Sequence, residues 1–301
     1  MPSTSTAVHP SRPTATGEPV ALYAVDAAGI ERAVTHRELA EQVDRAAAAM
    51  RRLGVRAGDR VALHLPLGPE AVAALLACTR IGAVATTLTQ WPSLRDHPCD
   101  ELAVRRLRRI RLLVTTGEVS GELLPPVLVA PTDGAWPGPA PQPADASPAA
   151  PTVEERSTAL RLGLHGPDDV YWCAVDLDWL VRHPAAVSAP LALGAAQVVC
   201  ADVTNVTHQR LWATLHTYGV TVLHAHPDAL HDVLWRSRLT DPDTPDAPEL
   251  RLITPTPDAG TAATPDYWSW HRAPEGSTSG WHLQHGPNPW SPLPTTDRLR
   301  R

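Results

Sequence analysis

Few groupings in this 301-residue sequence have the side chains to move protons, hold ions or attack a substrate. Asp176, Trp179 and His183 stand close together in one stretch. His224, His226 and His231 have the side chains of a zinc site. However, His224 and His226 fall on an apolar run that reads as a largely buried strand, and no carboxylate lies at a suitable spacing. Ser277 to Gly280 (STSG) has the hydroxyls and glycine of a phosphate-holding loop, yet no strand pattern precedes it and no helix pattern follows. Arg105, Arg106, Arg108, Arg109 and Arg111 alternate with Leu102, Val104, Leu107 and Ile110. They read as the solvated face of a helix, or alternatively as a patch for phosphate groups. No GxSxG elbow supports a serine hydrolase. The late tryptophans Trp268, Trp270, Trp281 and Trp290 read as packing or interface residues.

Two absences limit the chemistry further. The chain contains no Lys, so every fixed cation is Arg and no mechanism can draw an ammonium group from it; it also contains no Phe, so Trp, Leu and Val must fill its core. A formal charge of -6 is mild and points to neither nucleic acid nor an anionic membrane as partner. Cys78, Cys99, Cys173 and Cys200 show no CxxC spacing, and three of them lie in apolar segments as buried free thiols would. No apolar run reaches the roughly 18 residues of a membrane span. The first residues lack an apolar signal region, so 1–19 reads as a disordered polar tail and the cytoplasm as the compartment.

The elements that must position these residues follow from periodicity. Val20 to Val25 and Glu31 to Val34 read as a hairpin around Ala27-Ala28-Gly29. Thr35 and Glu38 form a capping box for a helix that carries Leu39, Val43, Ala46, Ala47, Met50 and Leu53 on one face and ends at Gly54. A strand follows from Arg60 to Leu65, then a helix from Ala71 to Ile81 with Gly82 as its C-cap, then a strand from Ala83 to Leu88. Leu112 to Thr115 is a further strand, and Pro151 to Pro167 holds at most one short helix. Val170 to Trp172, an acidic turn through Asp176, Asp178 and Trp179, an apolar segment Ala185 to Leu193, Gly194 and the strand Gln197 to Cys200 make a βαβ unit. Thr207 to Tyr218 is a helix, Val220 to Ala225 a strand, Pro227 to Arg236 a helix and Glu249 to Thr254 a strand. The domain division this implies is a tail 1–19, a first βα subdomain 20–124, a Pro/Ala-rich loop or linker 125–167, a second βα subdomain 168–254 and an irregular Trp/Pro-rich tail 255–301.

The spelling of several segments carries a resemblance. YWC at 171–173, then Asp176, Trp179 and His183, then PLALGA at 190–195 resemble the central segment of acetyl-CoA synthetases, members of the adenylate-forming acyl-CoA ligase superfamily. GDRVALHLPLGPEAVAALLACTRIGAV and RLWATLHTYGVTVLHAHPDALHDVL resemble the same enzymes. The fold implied is α/β: a partial N-terminal domain of the adenylate-forming ligase fold, with βα repeats on a parallel sheet and the C-terminal domain absent.

The family joins a carboxylate to AMP and passes the acyl group to CoA, which requires a phosphate loop, Mg²⁺ and Lys. Where the resemblance places the phosphate loop, this chain has PTVEERSTALRLGLHGP, with Ser157-Thr158 as the one hydroxyl pair and Gly163 and Gly166 as the glycines. Between Trp179 and His183, Leu180, Val181 and Arg182 replace the family's Val, Thr and Gly. The adenine-binding run aligns with Thr254 to Ala259, where Pro257 replaces a Gly and Asp258 is the conservative match. The acyl-pocket and Mg²⁺ motif aligns with Trp281 to Gly286, where the metal-binding Glu is missing and no Asp or Glu occurs between Glu275 and Asp297.

The resemblance thus leaves a candidate remnant acyl and nucleotide pocket of Trp179, Val181, His183, Thr256, Asp258 and Trp281, with no catalytic residue and no metal ligand. The expectation is a catalytically incompetent homologue acting by protein interaction or weak ligand binding, with no cofactor. Two alternatives stay open: an acyl-CoA ligase active only with a partner chain, which would then use ATP, Mg²⁺ and CoA, and a CoA- or acyl-binding module. A homo-oligomer or a complementing synthetase is the expected partner, since a half-domain exposes sheet edges; nucleic acid and membrane are not.

Overall fold

The computed structural model describes residues 17–87, 109–117, 125–131, 133–137, 152–201, 208–226, 230, 249–256, 266–273 and 281–287. In chain order the strands are β1 (Val20–Val25), β2 (Glu31–Thr35), β3 (Arg60–His64), β4 (Val84–Thr87), β5 (Ile110–Thr115) and β6 (Val127–Val129). They continue with β7 (Val170–Ala174), β8 (Ala196–Cys200), β9 (Val222–Ala225), β10 (Leu252–Pro255), β11 (Asp266–Arg272) and β12 (Trp281–Pro287). The helices are α1 (His36–Arg52), α2 (Pro69–Ile81), α3 (Val153–Arg161), α4 (Leu177–Arg182), α5 (Ala185–Ala192) and α6 (His208–Tyr218).

Two sheets result. A four-stranded parallel sheet runs β4-β3-β5-β6, and an eight-stranded sheet runs β12-β11-β10-β9-β7-β8-β1-β2. The inner strands of the large sheet, β1, β8, β7, β9 and β10, pair in parallel, and the antiparallel strands β2, β11 and β12 sit at its flanks.

Local sequence explains why the helices begin and end where they do. Thr35 accepts the Glu38 N–H while Glu38 reaches back to the Thr35 N–H, the reciprocal capping box expected from the sequence. Pro69 starts α2, where its missing N–H costs nothing, and Gly82 ends it in the left-handed region at φ 77°. α2 buries Ala71, Val72, Ala74 and Leu75 between α1 and the small sheet. Each such Val or Leu contributes about 1.5–3 kcal/mol by leaving water.

Successive strand residues point to opposite faces, so the inner parallel strands of the large sheet each feed two cores. Tyr171, Cys173, Val222 and Leu252 face a core continuous with α1, α2 and the small sheet. Val170, Trp172, Leu223 and Ile253 face a second core completed by Leu211, Trp212 and Leu215 of α6.

Four expectations need correction. The hairpin β1–β2 does not stay with residues 20–124: β1 pairs with β8, so the N-terminal segment closes the other sheet. The acidic turn through Asp178 and Trp179 is the helix α4, because the Asp176 side chain accepts the Trp179 N–H at 2.7 Å and caps it. The stretch 125–167, read as a linker, supplies β6 and buries Trp136 to 2% exposure. The stretch 255–301, read as irregular, contains the antiparallel pair β11 and β12. The predicted helix 227–236 lies outside the described residues apart from Leu230, as do Arg105, Arg106, Arg108, Cys99, His231 and Ser277 to Gly280.

Candidate functional site

In parallel α/β sheets ligands gather beyond the carboxyl ends of the strands. At that end of β7 the chain turns into α4, where Trp179 is buried and His183 forms the C-cap. The two rings stack with centroids 4.0 Å apart and planes 19° from parallel. His183 Nδ1–H donates to the Trp179 carbonyl at 3.0 Å, which fixes the tautomer and the ring orientation. Burial pulls the imidazole below its ordinary pKa, the Trp179 carbonyl pulls the other way and the Arg182 charge adds to the lowering. His183 is therefore neutral at pH 7. Val181, on the same helix, is half-buried against the first core.

The carboxylates around this corner are already committed. Asp176 holds the start of α4, and Asp178 is bound by the Thr87 hydroxyl of β4 and by Arg182 at 3.1 Å. Arg182 lies exposed along its own helix. The Thr87–Asp178 contact ties the small sheet to the corner. Its partners are 91 residues apart, and no local signal announces it.

Thr256 is buried just beyond β10, and its N–H donates to the Ala225 carbonyl at 2.8 Å. Asp258 lies outside the described residues. Trp281 opens β12 against the second core, beneath the Arg272 guanidinium at 5.1 Å from the ring centroid. The structure thus gathers Trp179, Val181 and His183 on one helix over the first core and sets Trp281 against the opposite core.

The turn leading into β7 occupies the interval where the resemblance places a phosphate loop. α3 fills most of it, and its first turn is acidic: Glu155 closes a capping box with Thr152, and Glu154 adjoins it. Then the Asp169 carboxylate takes the N–H groups of His165 (2.6 Å) and Gly166 (3.3 Å), the Thr221 hydroxyl (2.8 Å) and Arg251 (2.6 Å). Burial alone would raise the Asp169 pKa, but the His165 amide, Arg251 and Thr221 hold it below the usual carboxylate range. This network escaped the sequence because its partners come from three separate segments; the paired Asp168-Asp169 before an apolar strand was its only trace.

His224 is fully buried, with Nε2 3.2 Å from the Leu162 carbonyl and 3.1 Å from the Thr254 hydroxyl. His226 lies beyond β9 and is exposed, so the two do not share a buried strand as expected. Among the described residues no group of three or more His, Cys, Asp and Glu could hold a metal ion. The β12 segment offers imidazole and amide side chains but no carboxylate, so it does not fit Mg²⁺, which prefers oxygen ligands. No described helix is long and apolar enough to cross a membrane.

Comparison with known proteins agrees with the fold. The chain belongs to the AMP-binding enzyme family, whose model matches residues 11–105 and 151–279. It is 29% identical to the acetyl-coenzyme A synthetase of Streptomyces avermitilis, over 92% of this chain and 52% of that protein. It is also 29% identical to acetyl-coenzyme A synthetase 2 of Pseudomonas putida, over 89% of this chain and 51% of that protein. The chain spans about half the length of these relatives. Among solved structures it superposes on a Brucella canis acyl-CoA synthetase with TM-score 0.56 and 21% identity, covering 83% of this chain and 52% of that one. CmiS6 gives TM-score 0.59 and 24% identity, covering 81% and 63%.

Proposed function

We propose that this acetyl-CoA synthetase-like member of the AMP-binding family does not form acyl-adenylates itself and acts through protein interaction or weak ligand binding. The observation that carries this reading is the turn leading into β7. A phosphate loop works by presenting unpaired backbone N–H groups to an anion, commonly at a helix N-terminus. Here the N–H groups of His165 and Gly166 already bind the Asp169 carboxylate. The helix start in the same interval carries Glu154 and Glu155, which repel phosphate.

The absence of Lys from the whole sequence supports the same reading. So does the unbroken Leu180-Val181-Arg182 run, which offers no hydroxyl beside His183.

Acyl-dependent release of pyrophosphate from ATP by the purified chain tests the proposal, with acetate and other short carboxylates as substrates. The expected result is no release above the protein-free control. Release that depends on the carboxylate and survives rigorous purification overturns it.

A further inference from the structure

The segment after β6 packs along α1: Gly134 lies against the Gln42 side chain, and the Pro137 carbonyl accepts from Arg52. Between this segment, α1 and β2 is a cleft of about 390 Å³, within the range of small-molecule sites. It shares no residue with the Trp179–His183 corner or with the turn before β7. Most charges around it are already paired. Arg32 holds Glu70, Arg37 holds Glu18 and Glu41, and Glu38 closes the Thr35 capping box. Three polar groups remain open. Gln42 is only 7% exposed, yet its Oε1 has no hydrogen-bond partner. Arg45 Nε is also buried without a partner, and its guanidinium meets Glu41 only at 3.6 Å. Asp133, on the segment facing α1, accepts the Ala135 N–H at 2.9 Å through one oxygen and makes no ion pair among the described residues. Native proteins pair nearly all buried polar groups with protein, water or ligand. An amide and a guanidinium left open at one cleft therefore call for an occupant.

We propose that this cleft binds a free α-amino acid, its carboxylate on Arg45, its ammonium on Asp133 and the Gln42 amide between them. A guanidinium donates its N–H groups to a carboxylate as a fork, and an ammonium donates to the Asp133 carboxylate. The Gln42 amide serves both ends of such a ligand: Nε2 donates to the carboxylate, and Oε1 accepts from the ammonium. Its terminal torsion is soft, so a small rotation turns either atom toward the cleft. Gly134 leaves room for that amide, since a Cβ there would meet Gln42 Nε2 at 2.8 Å. The open charges are one cation and one anion, and a zwitterion satisfies both. A phosphate or simple carboxylate would leave Asp133 without a partner and face Glu38 and Glu41 as well. An amine alone would leave Arg45 open. Ala33, Val34 and Ala135 line the remaining wall and suit an uncharged side chain.

The test titrates the full chain, without ATP, with each standard amino acid, followed by thermal melting and calorimetry. Propionate and ethylamine, which carry one charge each, are the controls. The expected result is that at least one uncharged amino acid binds once per chain and raises the melting temperature saturably, while neither control does. Arg45→Gln and Asp133→Asn should each weaken that binding by about tenfold or more, since each removes a charge-assisted hydrogen bond. Both side chains reach solvent, so neither substitution should prevent folding. Gln42→Leu removes the unpaired amide, so it should melt no lower than wild type without ligand and lose the rise that the amino acid causes. No binding by any amino acid at millimolar concentration overturns the proposal. So does binding that either R45Q or D133N leaves unchanged, or binding that propionate or ethylamine matches.

Discussion

Two βαβ units in this molecule follow one plan, and their differences separate scaffold from site. In the first, β3–α2–β4, Asp59 precedes the strand, its carboxylate accepts the Arg56 N–H at 2.7 Å, and its carbonyl accepts the Val84 N–H. In the second, β7–α4–α5–β8, Asp169 does the same for the His165 N–H, and its carbonyl accepts the Ala196 N–H. Gly82 and Gly194 end the two crossovers at φ 77° and 79°. The crossover of the first unit is one uninterrupted apolar helix. That of the second breaks at His183-Pro184, and its leading Asp is bound by three further groups. One backbone plan therefore serves plain packing in one place and a polar, closed corner in the other.

The largest expected asymmetry is at the two aspartates. Asp169→Ala leaves Arg251 half-buried without its partner and strips an acceptor from two amides and Thr221, so it should cost about 3–5 kcal/mol in urea unfolding. Asp59→Ala, at a solvent-facing turn, should cost under about 1 kcal/mol. Equal losses would mean that the extra partners of Asp169 contribute nothing.

Next in size is an acid effect confined to the second unit's neighbourhood. Burial depresses the His224 pKa to about 4, so the unfolded chain takes up a proton first as the pH falls. Stability should hold above about pH 6.5 and decline between there and about pH 4, by on the order of 3 kcal/mol. His224→Gln should flatten that slope; an unchanged slope would assign it to other groups.

The glycine caps should behave alike. Gly82→Ala and Gly194→Ala both force a side chain into the left-handed region, at about 1–2 kcal/mol each. The added methyl meets Ala57 at 3.2 Å and Pro167 at 3.4 Å respectively, so neither site is roomier by much. A large difference in melting temperature between the two variants would break the parallel. Smallest is Arg182→Ala, which removes an exposed pair with Asp178 and should change stability by only about 0.3–0.5 kcal/mol.

These effects also mark what the sequence could reveal. Both units, the Thr35 capping box and the glycine stops were legible because each is written within a few neighbouring residues. The partners of Asp169 were not, since Thr221 and Arg251 come from separate segments. β11 and β12 were missed because Pro and Gly flank them and Trp and His replace the usual aliphatic residues. The alternation of Trp268, Ser269, Trp270 and His271 was nonetheless a strand signal. At the candidate site the resemblance led to the Trp179–His183 corner, but not to the carboxylate that seals the turn before β7.

The pairing of β1 with β8 has a consequence for how the chain is made. Leu22 lies beside Gln197, 175 residues later in synthesis. At about 5–20 residues per second the N-terminal hairpin waits on the order of ten to thirty seconds on the ribosome before its partner strand emerges. Throughout that time the apolar edge of β1 is open to other chains, and such distant pairing slows folding. Yield of folded protein should therefore depend on chaperones and on translation speed more than on the stability of the finished sheet.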